Sequence, residues 1–246
     1  MKKLLTVLML LVAVSARAED VHLAAASDLN FALKEIIQDF ERSTGNKVVL
    51  SLGSSGNFFA QIQNGAPFDV FLSADLNYPR ELEKSGHAVA GSTFVYGIGR
   101  IALWVPARSS LNLDKLGMLA LADRSVRKVA IANPEHAPYG RAAVAAMQHA
   151  NVYDQVKNKI VLGENISQAA QFVQSAAADI GVIALSLVLS EPMRKAGRYW
   201  VIPEDTYPRL EQGAALLKRG GPAARQFLDW LKRPESKQTF KKYGFN

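Results

Sequence analysis

Four short segments carry residues suited to holding an anion: AAASDL (24–29), LGSSGN (52–57), ANPEHAPYGR (132–141) and GENISQ (163–168). Each places small, glycine, proline or hydroxyl residues just ahead of a helical pattern. The first N–H groups of a helix have no carbonyl within that helix to bond, and they lie at the positive end of its dipole. Serine hydroxyls beside such N–H groups complete an anion site made of neutral dipoles. Arg141 is the only Lys or Arg in the four segments, so no salt bridge is on offer. Taken singly, Ser27 reads as an ordinary helix cap and GSSG as an ordinary turn. Capping does not require all four turns to share this character.

The elements around these turns alternate between strand and helix. Residues 21–26 read as a buried strand, with Ser27 as the cap of a helix whose apolar positions Leu29, Ala32, Leu33, Ile36, Ile37 and Phe40 recur at helical spacing up to Gly45. Strands at 48–52 and 69–73 and helices at 58–63 and 79–84 follow. This βαβαβ start predicts a mostly parallel sheet covered on both faces. Residues 94–105 form a long apolar β-type run that suits a passage between two lobes. Helices at 113–122, 140–150 and 167–177 and strands at 127–132 and 181–184 come next, then a last strand at 214–218 and an amphipathic helix carrying Phe227, Leu228, Trp230 and Leu231. The pattern runs in two similar halves. In an open α/β sheet the strand-to-helix turns lie at the carboxyl ends of strands, where ligands bind.

Other chemistries find little support. The chain has no cysteine and four histidines (22, 87, 136 and 149), which removes thiol catalysis, Cys-based zinc sites and disulfide scaffolds. His136 beside Glu135 reads as a loop pair rather than a metal site. Gly97 to Ala102 matches G-x-G-x-x-A, but it sits in a β pattern and opens no helix. Gly53 to Asn57 resembles a nucleophile elbow without its last glycine. A secreted serine hydrolase using Ser55 is therefore the rival from another class. Near the C-terminus Lys218, Arg219, Arg225, Lys232, Arg233, Lys237, Lys241 and Lys242 form a basic region, read as a solvated face or a transporter-docking surface.

The 246 residues are 49% apolar and 21% charged, the mix of a soluble protein with a real core. Residues 1–18 read as a cleaved signal peptide: Lys2 and Lys3, an apolar run at 4–14, then Ala16-Arg17-Ala18. Removing Lys2, Lys3 and Arg17 leaves 26 basic residues against 22 acidic and lowers the net charge from +7 to about +4. Export and the lack of interleaved aromatics disfavour nucleic acid as a partner. The expected location is the periplasm.

The segments LAAASDL, Gly53 to Asp75 (GSSGNFFAQIQNGAPFDVFLSAD), NPEHAPYGRAA and FKKYGF together resemble the periplasmic molybdate-binding proteins of ABC importers, in matching order over essentially the whole mature chain. The resemblance implies the type II periplasmic-binding-protein fold, two α/β lobes with mostly parallel sheets and a hinge. It assigns 19–97 with 206–246 to one lobe and 98–205 to the other. The implied ligand is molybdate or tungstate, with no cofactor and no residue ligating a metal cation. The implied partner is the membrane permease of an ABC transporter, and the implied state is a monomer without enzymatic activity. Carried over by motif, Ser27 and Ser55 would each give a hydroxyl and a backbone N–H, and Tyr139 and Ile166 a backbone N–H each. Asp28 would add its backbone N–H, its carboxylate pointing away from the cleft. One departure stands out: many members carry a tyrosine where IGVIALS has Ala184, and the phenol of Tyr139 is the candidate replacement. The alternative ligand is another tetrahedral oxyanion such as sulfate.

Overall fold

The first apolar runs pair into one sheet and the middle runs into another. The computed structural model describes residues 19–246; the expected signal peptide lies outside the described residues. The strands are β1 (Asp20–Ala26), β2 (Lys47–Gly53), β3 (Val70–Ser73), β4 (Phe94–Gly99), β5 (Ile101–Pro106), β6 (Val129–Ala132), β7 (Ile160–Gly163), β8 (Ile180–Ala184), β9 (Gly197–Val201) and β10 (Leu210–Leu216). The helices are α1 (Asn30–Thr44), α2 (Ser55–Gln63), α3 (Asn77–Lys84), α4 (Leu113–Leu116), α5 (Pro138–His149), α6 (Tyr153–Val156), α7 (Ile166–Gln174), α8 (Leu185–Val188), α9 (Glu191–Ala196), α10 (Pro222–Leu231) and α11 (Pro234–Lys242). Among them none is long and apolar enough to cross a membrane.

The sheets share one plan, β2-β1-β3-β10-β4 and β7-β6-β8-β5-β9. In the first, β1 is parallel to β2 and β3 while β10 is antiparallel to β3 and β4. In the second, β6 is parallel to β7 and β8 while β5 is antiparallel to β8 and β9. One strand in each sheet thus runs against the other four. The first sheet is covered on both faces, as its continuous apolar strands require. Leu23, Val70 and Leu72 pack under α1, α10 and α11, where Phe40 meets Phe227 edge-on at 5.0 Å; Ala24 and Phe71 pack against Phe58, Ile62 and Leu82 of α2 and α3.

The long run at 94–105 is broken. β4 stays in the first sheet to Gly99, two residues past the expected division at 97/98, and β5 enters the second after Arg100. The chain returns between Val201 and Leu210, and Arg100 Nε meets Glu204 Oε1 at 2.8 Å between the two crossings. Further differences are local. The helix expected at 113–122 is a single turn, α4, followed by a 3₁₀ stretch, because Gly117 takes φ 50°. The helix expected from 58 begins at Ser55, with Ser54 extended before it. Strand β7, four residues long, and the edge strand β9, which carries Arg198, were too short to read from periodicity. Ser27 does not cap α1: it lies in a 3₁₀ turn (Ser27–Leu29), and α1 starts at Asn30.

Candidate oxyanion site

Each of the four turns lies where a strand ends and a helix begins: β1 into the 3₁₀ turn at Ser27, β2 into α2, β6 through a short loop into α5, and β7 into α7. Ser55 and Ile166 are the first residues of their helices and Tyr139 the second of its own, so their N–H groups have no partner within the helix. Ala26, Ser54 and Ala137, the residues before three of these starts, make no side-chain capping bond. The fourth start is capped by Asn165, whose Oδ1 accepts from Gln168 N at 3.0 Å.

Ser27, Asp28, Ser55, Tyr139 and Ile166 all line one cavity of about 10 Å³, with Gly53, Ser54, Ala74 and Pro138 among its other walls. That is space for about one small group. All five are at most 3% exposed. No Lys, Arg or His lines the cavity, and Asp28 is its one ionisable acid. A larger cleft of about 400 Å³ lies outside, lined by Arg80, Arg141 and Arg209 with Asp75 and Glu211. The four turns converge on the small cavity, whereas in the outer cleft Arg141 is already paired with Asp75 at 2.8 Å and Arg209 with Glu211 at 3.5 Å.

The hydroxyls differ in state. Ser55 Oγ accepts from Ala74 N at 2.9 Å, and among the described residues no acceptor takes its hydrogen. Ser27 Oγ donates to Asn165 Oδ1 at 3.1 Å and accepts from Ser167 N at 3.2 Å, and Ser167 Oγ donates to Ser27 O at 2.9 Å. These bonds join the turn after β1 to the start of α7, so the cleft is closed over the cavity. Gly56 N donates to His136 O at 2.9 Å and His136 Nδ1 meets Ser54 Oγ at 2.9 Å, while Asn57 Nδ2 donates to Glu164 Oε1, closing the same rim.

One sequence expectation, that the Tyr139 phenol replaces a missing hydroxyl, is corrected here. The Asp28 carboxylate is not idle: Oδ2 accepts from Tyr139 Oη and from Gln212 Nε2, both at 2.8 Å. The phenol of Tyr139 is therefore committed to Asp28 and does not replace the hydroxyl missing at Ala184, which is itself a buried β8 residue paired with Ile101. Burial pushes the Asp28 carboxyl up to about 6; the bonds from Gln212 and Tyr139, then the N–H groups of Asp28 and Leu29, pull it down less. Burial, and secondly Asp28, hold the Tyr139 phenol well above its usual range.

Gln212 was missed from the sequence. It sits at a β-bulge in β10, fully buried, and accepts from Tyr96 Oη at 2.7 Å. Its signal was an amide on the face opposite the exposed Glu211, in a strand whose remaining residues are apolar or glycine. Asn165 and Ser167 flank the predicted Ile166 but were read only as turn residues. The hydrolase reading lacks a base, because His136 reaches Ser54 and not Ser55. Among the described residues no three His, Asp or Glu side chains form a metal site.

Comparison with known proteins gives a consistent set of relatives. A family model of bacterial extracellular solute-binding proteins matches residues 21–246. A molybdate-binding protein of Azotobacter vinelandii is 40% identical over 237 residues, 96% of this chain and 93% of its own. A molybdate-binding protein of Rhodobacter capsulatus is also 40% identical over 237 residues, covering 95% and 90%. The solved periplasmic molybdate-binding protein of Azotobacter vinelandii superposes with a TM-score of 0.85 at 34% identity, covering 92% of this chain and 98% of that one.

Proposed function

The chain belongs to the bacterial extracellular solute-binding proteins, among their molybdate-binding members, and from that premise we propose that it captures molybdate in the periplasm for the membrane permease of an ABC importer. Its role is transport, not catalysis. The observation that carries the ligand reading is the single cavity ringed by four strand-to-helix turns and lined by no Lys or Arg. Such a site stabilises an oxyanion through fixed dipoles, with N–H groups of Ser55, Tyr139 and Ile166 and hydroxyls of Ser27 and Ser55 as donors. The N–H of Asp28 adds to them. The two sheets with their helices act as lobes, and the crossings at Arg100 and 202–209 act as the hinge. The protein works as a monomer, exported by its N-terminal signal, and takes tungstate as readily as molybdate because both are tetrahedral dianions of similar size. It requires no cofactor.

Calorimetry with an oxyanion panel tests this. Molybdate and tungstate should bind one per chain, with sulfate far weaker because its oxygens sit too close together for donors fixed to two closed lobes. At a hundred times its dissociation constant, molybdate should stabilise the fold by about 2.7 kcal/mol. Sulfate binding as tightly as molybdate would reassign the ligand.

Single hydroxyls should be visible in the same assay. Ser55→Ala removes a free donor and Ser27→Ala one now shared with Asn165, so each should cost on the order of 1.5–3 kcal/mol of binding. Ser27 caps no helix, so any drop in the variant's melting point should come from the lost bonds to Asn165 Oδ1 and Ser167 N. Wild-type affinity in both variants would remove the hydroxyls from the site.

A further inference from the structure

The donor set accounts for every cavity-lining polar group except one. Asp28 Oδ1 is buried and makes no hydrogen bond of good geometry, while Oδ2 is held by Tyr139 and Gln212. Asp28 lines the cavity, and no cation lines it alongside. An oxyanion bound there would meet an ionised carboxylate offset only by the neutral donors Gln212 and Tyr139 and the N–H groups of Asp28 and Leu29, with no cation, in a setting where water cannot screen the repulsion. A carboxyl oxygen carrying a hydrogen would instead be one more donor.

Resting on the site reading above, we propose that the oxyanion is captured together with one proton, held between Asp28 Oδ1 and an oxygen of the anion. The proton comes from solvent; no bond within the anion forms or breaks. Asp28 thereby becomes a specificity-determining residue. Its contact suits a fully deprotonated tetrahedral anion when the carboxyl brings the hydrogen, and it suits a protonated anion such as hydrogen phosphate when the anion brings it. Rejection of phosphate on protonation, which a purely donating site would give, is weakened, and selection falls to size.

The surroundings favour a neutral Asp28 in the bound state. The titratable groups facing it are Tyr139 from α5 and Tyr96 from β4, both held far above their usual range by burial. Gln212 on β10 is neutral, and Ser186 on α8 donates to the Asp28 carbonyl at 2.8 Å. The first turns of α1 and α7, which also pack here, carry no charge. Already without an anion the carboxyl titrates at about 6. A dianion in contact raises it further, so near neutral pH binding draws in a proton.

Molybdate calorimetry at pH 8 in two buffers of different ionisation enthalpy counts the protons taken up. Molybdate itself is fully deprotonated at that pH. The wild type should take up about one proton per anion, and its dissociation constant should rise about tenfold per pH unit between pH 7 and 8.5. Asp28→Asn should take up none, with affinity flat over the same range. Tyr139→Phe, which keeps the backbone N–H but removes a bond to Oδ2, should move the midpoint of the pH profile upward. His136→Gln should leave the proton count at about one, since His136 sits on the rim against Ser54 and Glu164. Tight wild-type binding with no proton uptake would overturn the proposal and leave the molybdate reading standing, as would uptake that persists in Asp28→Asn. If no member of the oxyanion panel binds, both fall.

Discussion

Gly56→Val should weaken molybdate binding by more than a hundredfold while leaving the melting point of the unliganded protein close to wild type. A Cβ at Gly56 would lie 2.6 Å from His136 O and 3.0 Å from His136 Cα. Both are rigid groups on the far side of the cleft, at the loop leading into α5. A branched side chain there cannot be accommodated by a rotamer change, so the cleft has to stay ajar. Opening relieves the clash at little cost to either lobe, because Gly56 touches the other lobe only on closure. Tyr139 and Ile166 then cannot reach an anion held by Ser27 and Ser55. Losing two hydrogen bonds to a charged group costs roughly 3–6 kcal/mol, about 10²- to 10⁴-fold in affinity. Gly140→Ala is the contrast: its Cβ would lie 2.2 Å from Ala132 O, within one lobe, where opening gives no relief. That variant should lose folding stability first. Calorimetry and thermal melts on both separate the cases, and near-wild-type molybdate affinity in Gly56→Val would show that closure is not needed.

The second large effect is on stability and its pH dependence. The Asp28 carboxyl titrates at 3.8 in an ordinary setting and at about 6 when folded. Between these values the folded state keeps a proton that the unfolded chain has released. Stability therefore falls as pH rises through this window. Below 3.8 the cost is absent; above about 6 it is fully present, on the order of 3 kcal/mol for this shift. Asp28→Asn cannot titrate. The unfolding free energy of the variant minus that of the wild type should accordingly rise by roughly 2.5 kcal/mol from pH 4 to pH 7, measured by urea unfolding without oxyanions. A difference that stays flat would mean the carboxyl is not strained by burial. The strain persists because the same carboxyl is bonded from α5 and β10 at once, which ties the closed arrangement together.

What could be read from the sequence follows from the range of the physics. The four turns and the helices α1, α2, α5 and α7 were legible because capping chemistry and helical spacing act within a few residues. Convergence of Ser27, Ser55, Tyr139 and Ile166 followed from the rule that such turns share one edge of a sheet. The passage between sheets within 94–105 was anticipated, but its exact place at Arg100 was hidden, since an apolar run looks the same on either side of the change. The bond from Ser27 to Asn165 spans 138 positions and that from Gln212 to Asp28 spans 184, so no local pattern announces them. The partners of the Asp28 carboxylate were out of reach for this reason. That carboxylate looked superfluous to a donor site until its partners on α5 and β10 came into view.

Diffraction at the molybdenum absorption edge, from crystals grown with molybdate and excess sulfate, tests the central claim most directly. We predict one anomalous peak per chain, inside the small cavity, with oxygens within hydrogen-bond distance of the N–H groups of Ser55, Tyr139 and Ile166. A peak in the outer cleft among Arg80, Arg141 and Arg209, or sulfate alone in the cavity, would contradict it.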